Sequence, residues 1–185
     1  MPESSLQIRP ALPAEYPVIA RLHADNWQHA YAGQLSAAWL THHVHADRLQ
    51  CWQQRMAQID PSQRVCLVEA DGLAIGFACL YLQHDPARGH YLDNLHVLRH
   101  WQGRGIGRQL MQAIAAMCQQ DDPSQGLYLW TTTQNHAAQQ FYQAIGARCE
   151  GESVWEAPDG NRIPCVGYQW SAAQLAAAET FMQNA

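Results

Sequence analysis

The chain has 185 residues, 48% of them apolar, which bounds it at one domain, residues 1–185, with a sizeable core. Its net charge of -5 argues against nucleic acid as a partner and suits a cationic substrate. No apolar run reaches the roughly 18–20 residues of a membrane span, and the start MPESSLQIRP lacks a secretory pattern, so no membrane partner and a cytoplasmic location are expected.

Leu6–Arg9 is a short strand candidate. Pro13 opens a helix with Glu15 in its first turn and Tyr16, Ile19, Ala20, His23, Trp27, Ala30 and Tyr31 on one face, closed by Gly33. Ser36 can cap a second short helix through Leu40. Leu49, Trp52, Met56 and Ile59 mark a further helix, stopped at Asp60-Pro61. Arg64–Ala70 and Leu73–Leu82 read as strands joined at Asp71-Gly72, a tight-hairpin signal. The polar loop His84–Gly89 leads to a central strand, Tyr91–Val97, where Tyr91, Asp93, Leu95 and Val97 share one face and Leu92, Asn94 and His96 the other.

A glycine-rich turn follows, Gln102-Gly103-Arg104-Gly105-Ile106-Gly107, and then Ile106, Leu110, Ala113, Ile114 and Met117 recur at helical spacing up to Asp121-Asp122-Pro123. Gly126–Thr131 is a mostly apolar strand, as expected for one buried on both faces. Asn135 can cap a helix whose stripe is Ala137, Ala138, Phe141, Tyr142 and Ile145 and whose stop is Gly146. Arg148–Trp155 and Ile163–Trp170 pair around Pro158-Asp159-Gly160, and residues 171–185 read as a helical tail in which Phe181 and Met182 could pack on the domain or a partner subunit. The order is that of an α/β (α+β) chain with a mixed, mostly antiparallel central sheet of about seven strands flanked by helices.

The cysteines, Cys51, Cys66, Cys79, Cys118, Cys149 and Cys165, are irregularly spaced inside apolar segments and read as buried free thiols. His42, His43 and His45 lie close together without zinc-site spacing, so they are surface or loop histidines and no metal is expected.

Glycines alternating at 103, 105 and 107, beside Arg104 and Arg108 at a helix start, suit an anion held by backbone N–H groups. A Walker loop would need a Gly-Lys-Ser/Thr ending, and a dinucleotide fingerprint would need its third glycine one place later. Gln102-x-x-Gly105-x-Gly107 after a strand ending in Leu-x-Val resembles instead the pyrophosphate loop of the GNAT acetyltransferase superfamily. Asn135-x-x-Ala138-x-x-Phe141-Tyr142-x-x-x-Gly146 resembles a second segment of that family, and the element order follows its layout over nearly the whole chain. The segment WQHAYAGQLSAAWL is similar to one in bacterial small-molecule members, polyamine acetyltransferases among them.

The resemblance implies a GNAT fold, acetyl-CoA as co-substrate, and direct acetyl transfer to the amine of a small molecule resembling a polyamine, an amino acid or an antibiotic. Gln102, Gly103, Arg104, Gly105, Ile106, Gly107 and Arg108 would hold the pyrophosphate, the backbone of Leu95, His96 and Val97 would pair with the pantetheine arm, and Asn135 would contact that arm. Tyr142 would be the general acid toward the sulfur; its other reading is a core tyrosine. Asp93, flanked by Tyr91 and Leu95, would accept the amine's proton or grip the ammonium; its other reading is a strand-end aspartate bonded to backbone or solvent. Glu69, Glu152 and Glu156 are alternative carboxylates. Trp27 and Tyr31 would line the acceptor pocket, or pack as ordinary core aromatics. Two further functions stay open: a protein or peptide N-acetyltransferase, and an acyl-CoA-binding sensor without turnover. The chain would be a monomer or homodimer.

Overall fold

The computed structural model describes residues 5–58 and 60–183, with the backbone alone for residues 178–183. Strand β1 (Leu6–Pro10) runs through a 3-10 turn at Pro13–Glu15 into three helices, α1 (Tyr16–Ala30), α2 (Ala37–His42) and α3 (Val44–Ala57). Strands β2 (Gln63–Ala70), β3 (Leu73–Asp85) and β4 (Gly89–Val97) follow, then α4 (Ile106–Asp121), β5 (Leu127–Thr132), α5 (His136–Ala144), β6 (Arg148–Glu156), β7 (Arg162–Trp170) and α6 (Ala172–Gln183). Seven strands form one sheet in the order β1-β2-β3-β4-β5-β7-β6. The ladders β1/β2, β5/β7 and β6/β7 are antiparallel, whereas β4 and β5 are parallel, as the intervening α4 crossover requires. This is the mixed α/β architecture expected.

Local chemistry sets the punctuation. Ser36 accepts the Trp39 N–H at 3.2 Å, so α2 starts where a cap was anticipated. Asp71 and Gly72, at φ 50° and 79°, turn the β2–β3 hairpin with the two left-handed residues that a tight turn of the right twist needs. Ile59 lies outside the described residues, as do the side chains of Phe181 and Met182.

The chain forms two compact units, Met1–Cys79 with Asn94–Leu110, and Leu80–Asp93 with Met111–Ala185. In the first, Ile19, Leu22 and His23 of α1, Trp52 of α3, Leu67 of β2 and Phe77 of β3 are buried. Leu49, expected on the apolar stripe of α3, is instead 42% exposed. The inward arc is filled by the stems of Arg48 and Arg55, whose guanidinium carbons lie 4.2 Å from the Trp27 ring and 5.2 Å from the Trp52 ring. A periodicity count scores those arginines as polar and misplaces the stripe. Glu69 is paired with Arg9 at 2.5 Å, and Arg9 also holds Glu15 at 2.6 Å, which draws the Glu15 carboxyl down to about 2.

In the second unit, Leu127 and Leu129 of β5, Tyr168 and Trp170 of β7 and Met111, Ile114 and Cys118 of α4 are buried, while Ala113 and Met117 are only half-buried. Tyr142 of α5 and Ile145, just past its end, are buried with them. Strand β6, last in the sheet, is exposed from Arg148 to Val154 and irregular between Cys149 and Glu152, with Gly151 at φ 86°. Cys149 is therefore exposed and Cys51 half-buried, against the expectation of buried thiols. Burial pushes Cys66 up to about 11 and Cys118 up to about 12, so both stay protonated at neutral pH. Among the described residues no helix is long and apolar enough to cross a membrane, and no three His, Cys, Asp or Glu side chains gather to hold a metal.

Candidate active site

In the first unit, β4 ends at Val97, whose carbonyl accepts a hydrogen bond from Gln102 Nε2 at 2.9 Å. The Gln102 side chain thus ties the loop to the strand, and any hold it has on an anion falls to its backbone. Gly103 and Gly105 sit at φ 73° and 77°, and a Cβ built on either would meet nothing within 4 Å. Gly105 C=O accepts from Arg108 N at 3.0 Å and Gln109 N at 3.1 Å, so α4 begins there and the N–H groups of Ile106 and Gly107 precede its first backbone bond. Arg104 stacks 4.7 Å above the Trp101 ring. Arg108 Nη1 is buried and has no hydrogen-bond partner among the described residues. An open, left-handed backbone, a helix N-terminus and the Arg108 Nη1 without a partner among the described residues fit the pyrophosphate of a coenzyme A derivative.

Beside the loop in chain order, Leu95 and His96 are half-buried on β4. Gly76 of β3 lies against His96 and Val97: a Cβ there would come 2.6 Å from the His96 carbonyl oxygen. The His96 ring is 4.9 Å from that of His23 and 5.2 Å from Phe77. His23 Nδ1 accepts from Trp52 Nε1 at 2.9 Å, which fixes the neutral tautomer with its hydrogen on Nε2. Burial first, then His96, Arg48 and Arg55, keep His23 well below the usual imidazole range. Trp27 stands edge-on to His23 at 4.9 Å and to Tyr31 at 5.2 Å and is 6% exposed, whereas Tyr31 is half-buried.

In the second unit, β4 and β5 pair in parallel at His90/Leu127 and Tyr91/Tyr128. Asp93 lies two residues beyond Tyr91 on the same face of β4 and is half-buried. Asn135 Oδ1 caps α5 by accepting from Ala138 N at 3.2 Å. Gln139 Nε2 ties that helix to the end of β5 through the carbonyls of Thr132 and Thr133, at 3.1 and 2.9 Å. The Tyr142 ring is 5.9 Å from Tyr168 and 6.1 Å from Trp170, perpendicular to the latter. Trp170 Nε1 in turn donates to the Ile145 carbonyl at 3.0 Å, so the last turn of α5 is pinned to β7.

A second group has almost no signature in the sequence. The rings of Tyr91 and Tyr128 stack at 5.0 Å, His84 Nδ1 is 2.6 Å from Tyr128 Oη, and the Arg88 guanidinium lies 5.5 Å above Tyr128 and 5.1 Å above Trp130. Its only signal is the alternation of Tyr128 and Trp130 along β5; Arg88 and His84 sit in a polar loop, which spacing alone does not place over a strand.

A model of the Acetyltransferase (GNAT) family matches residues 22–147. A probable N-acetyltransferase of Mycobacterium tuberculosis is 25% identical over 177 residues, covering 91% of this chain and 95% of that protein. An aminoglycoside N(6')-acetyltransferase type 1 of Stenotrophomonas maltophilia is 40% identical over 53 residues, covering 25% of this chain and 35% of that protein. The crystal structure of the PaiA N-acetyltransferase of Thermoplasma acidophilum in complex with coenzyme A superposes with a TM-score of 0.70 at 16% identity, covering 90% of this chain and 99% of that one.

Proposed function

The chain belongs to the GNAT acetyltransferase family, and we propose that it transfers an acetyl group from acetyl-CoA directly to the amine of a small molecule. The observation that carries this reading is the open loop Gly103–Arg108 at the start of α4, with left-handed Gly103 and Gly105 and the unsatisfied Nη1 of Arg108. The acidic balance of the chain and the partial likeness to an aminoglycoside-modifying enzyme support a small amine as acceptor.

Acetyl-CoA supplies the thioester carbonyl: a C–N bond forms as the C–S bond breaks. The loop N–H groups, Arg104 and Arg108 anchor the pyrophosphate, and the backbone of Leu95, His96 and Val97 together with the Asn135 amide take the pantetheine arm. Gln102 positions the loop through Val97. Asp93 accepts the proton leaving the ammonium, and Tyr142 gives its hydroxyl proton at the sulfur. Tyr31 lines the acceptor side, and Trp27, edge-on to it at 5.2 Å, sets its position.

The test is thiol release from acetyl-CoA against polyamines, amino acids, aminoglycosides and short peptides, with Tyr142→Phe alongside. Wild type should turn over a small amine, and the variant should lose about 10²-fold or more in kcat at unchanged acetyl-CoA affinity. Loss of binding with turnover, or no change in either, would remove Tyr142 from the acid role; turnover of peptides alone would overturn the small-molecule reading.

A further inference from the structure

The basic residues of the chain are all arginine, and the half-buried ones are accounted for except Arg108 and Arg88. Arg9 and Arg48 are paired with carboxylates, Arg55 reaches Asn94 Oδ1 at 3.5 Å and Arg64 donates to the Pro61 carbonyl at 2.7 Å. Arg108 belongs to the loop already described. Arg88 is the other: half-buried, its guanidinium has no hydrogen-bond or ion-pair partner among the described residues. Asp85, the carboxylate nearest it in the chain, accepts from the backbone N–H groups of Ala87 at 2.8 Å and Arg88 at 3.0 Å, which holds it below the usual carboxylate range and occupies it in the turn.

The surroundings of Arg88 are built to keep the guanidinium in place. It lies across Tyr128 and Trp130, alternate residues on one face of β5. Trp130 lies flat because its pairing partner on β7 is Gly167; a Cβ there would come 3.1 Å from the indole and 2.3 Å from the Glu150 carbonyl oxygen. On β6 a Cβ at Gly151 would come 3.4 Å from the same indole and 3.7 Å from Arg88 Nη2. Tyr128 is held in turn by stacking on Tyr91 and by His84. A guanidinium laid on aromatic faces keeps its N–H edge available for a planar, bidentate anion. On the same face of β4 as Tyr91 comes Asp93, about 7 Å further along the strand.

We propose that Arg88, seated on Tyr128 and Trp130, binds the carboxylate of the acceptor, so that the acceptor is an amino acid or a close carboxylate-bearing amine and not a polyamine. This rests on the acetyltransferase reading above and narrows it. The aromatic shelf would take the apolar part of such an acceptor, and the ammonium end would point along β4 toward Asp93.

The experiment compares each amino acid with its decarboxylated amine (phenylalanine with phenethylamine, leucine with isoamylamine, lysine with 1,5-diaminopentane) in the thiol-release assay, for wild type, Arg88→Gln and Arg88→Lys. Calorimetric titration of the same pairs, in the presence of coenzyme A, reads binding without turnover. Wild type should prefer at least one amino acid over its amine by tenfold or more. Arg88→Gln should remove about 10–100-fold of kcat/KM for the amino acid and leave the amine within about twofold, with the acetyl-CoA KM unchanged; Arg88→Lys should recover part of the loss. Turnover of amines with no gain from a carboxylate would overturn this proposal and leave the acetyltransferase standing. Equal losses for both members of a pair would overturn it as well. If nothing turns over, saturable amino-acid binding abolished in Arg88→Gln still supports it, and no such binding in wild type sinks it.

Discussion

Each unit of the molecule holds a cluster of rings with a histidine in it and arginine laid on top, yet the two are finished differently. Around His23 the cluster is closed. His23 is 1% exposed and Trp52 fully buried, and Arg48, stacked on Trp27, is ion-paired with Asp47. Around Tyr128 the cluster is open: Tyr91 and Trp130 are half-buried, His84 is exposed, and the Arg88 guanidinium has no ion-pair partner among the described residues. The same residue types therefore serve packing in one place and recognition in the other. What separates them is whether the cation's hydrogen-bonding edge is used within the chain.

Substitutions should pull the two clusters apart. Trp52→Ala removes a fully buried indole and leaves His23 Nδ1 without its donor, so a loss of about 3–5 kcal/mol in urea unfolding is expected. A loss under 1 kcal/mol would mean that the closed cluster is not a packing device. Gly167→Ala should cost about 1–3 kcal/mol, because neither the Glu150 carbonyl nor the Trp130 ring can leave freely. It should also weaken amino-acid binding by lifting the shelf under Arg88, which titration of the folded variant would read.

Acid gives the third and smallest effect. The folded-state pKa of His23 is depressed, so below the unfolded value of about 6.5 the unfolded chain takes up a proton that the folded chain refuses. The contribution is complete above about pH 6.5 and is lost progressively as pH falls below it. Urea midpoints of wild type and His23→Gln across that range check it: the variant's curve should be flatter, and parallel curves would mean that His23 titrates normally.

The elements were legible because their punctuation is local. Ser36, Asp71-Gly72, Asn135 and Gly146 act within a few residues of themselves, and each stands where the sequence put it. The glycine loop was legible for the same reason, since its conformation depends on neighbours in the chain. What escaped was set by pairing across the sheet. Arg88 reaches Trp130, and Trp130 lies over Gly167, only once β5 has found β7 in the right register. The stripe of α3 was misread because Arg48 and Arg55 turn inward to cover tryptophans, a use of arginine that hydropathy cannot rank. Gln102 was expected on the anion and spends its side chain on Val97, a choice made by where β4 ends.

Strand β6 closes one side of the sheet with Glu150, Glu152 and Glu156 along its length and a left-handed residue, Gly151, at its irregular step. A strand so placed offers its free backbone edge to any other chain that comes by, and a straight apolar one would recruit it. Here an arriving strand would meet repeated negative charge and a kink that breaks its register. The edge can thus stay uncovered without becoming a seed for stacking, and a crowded solution of this protein is kept from turning its own sheet into a template.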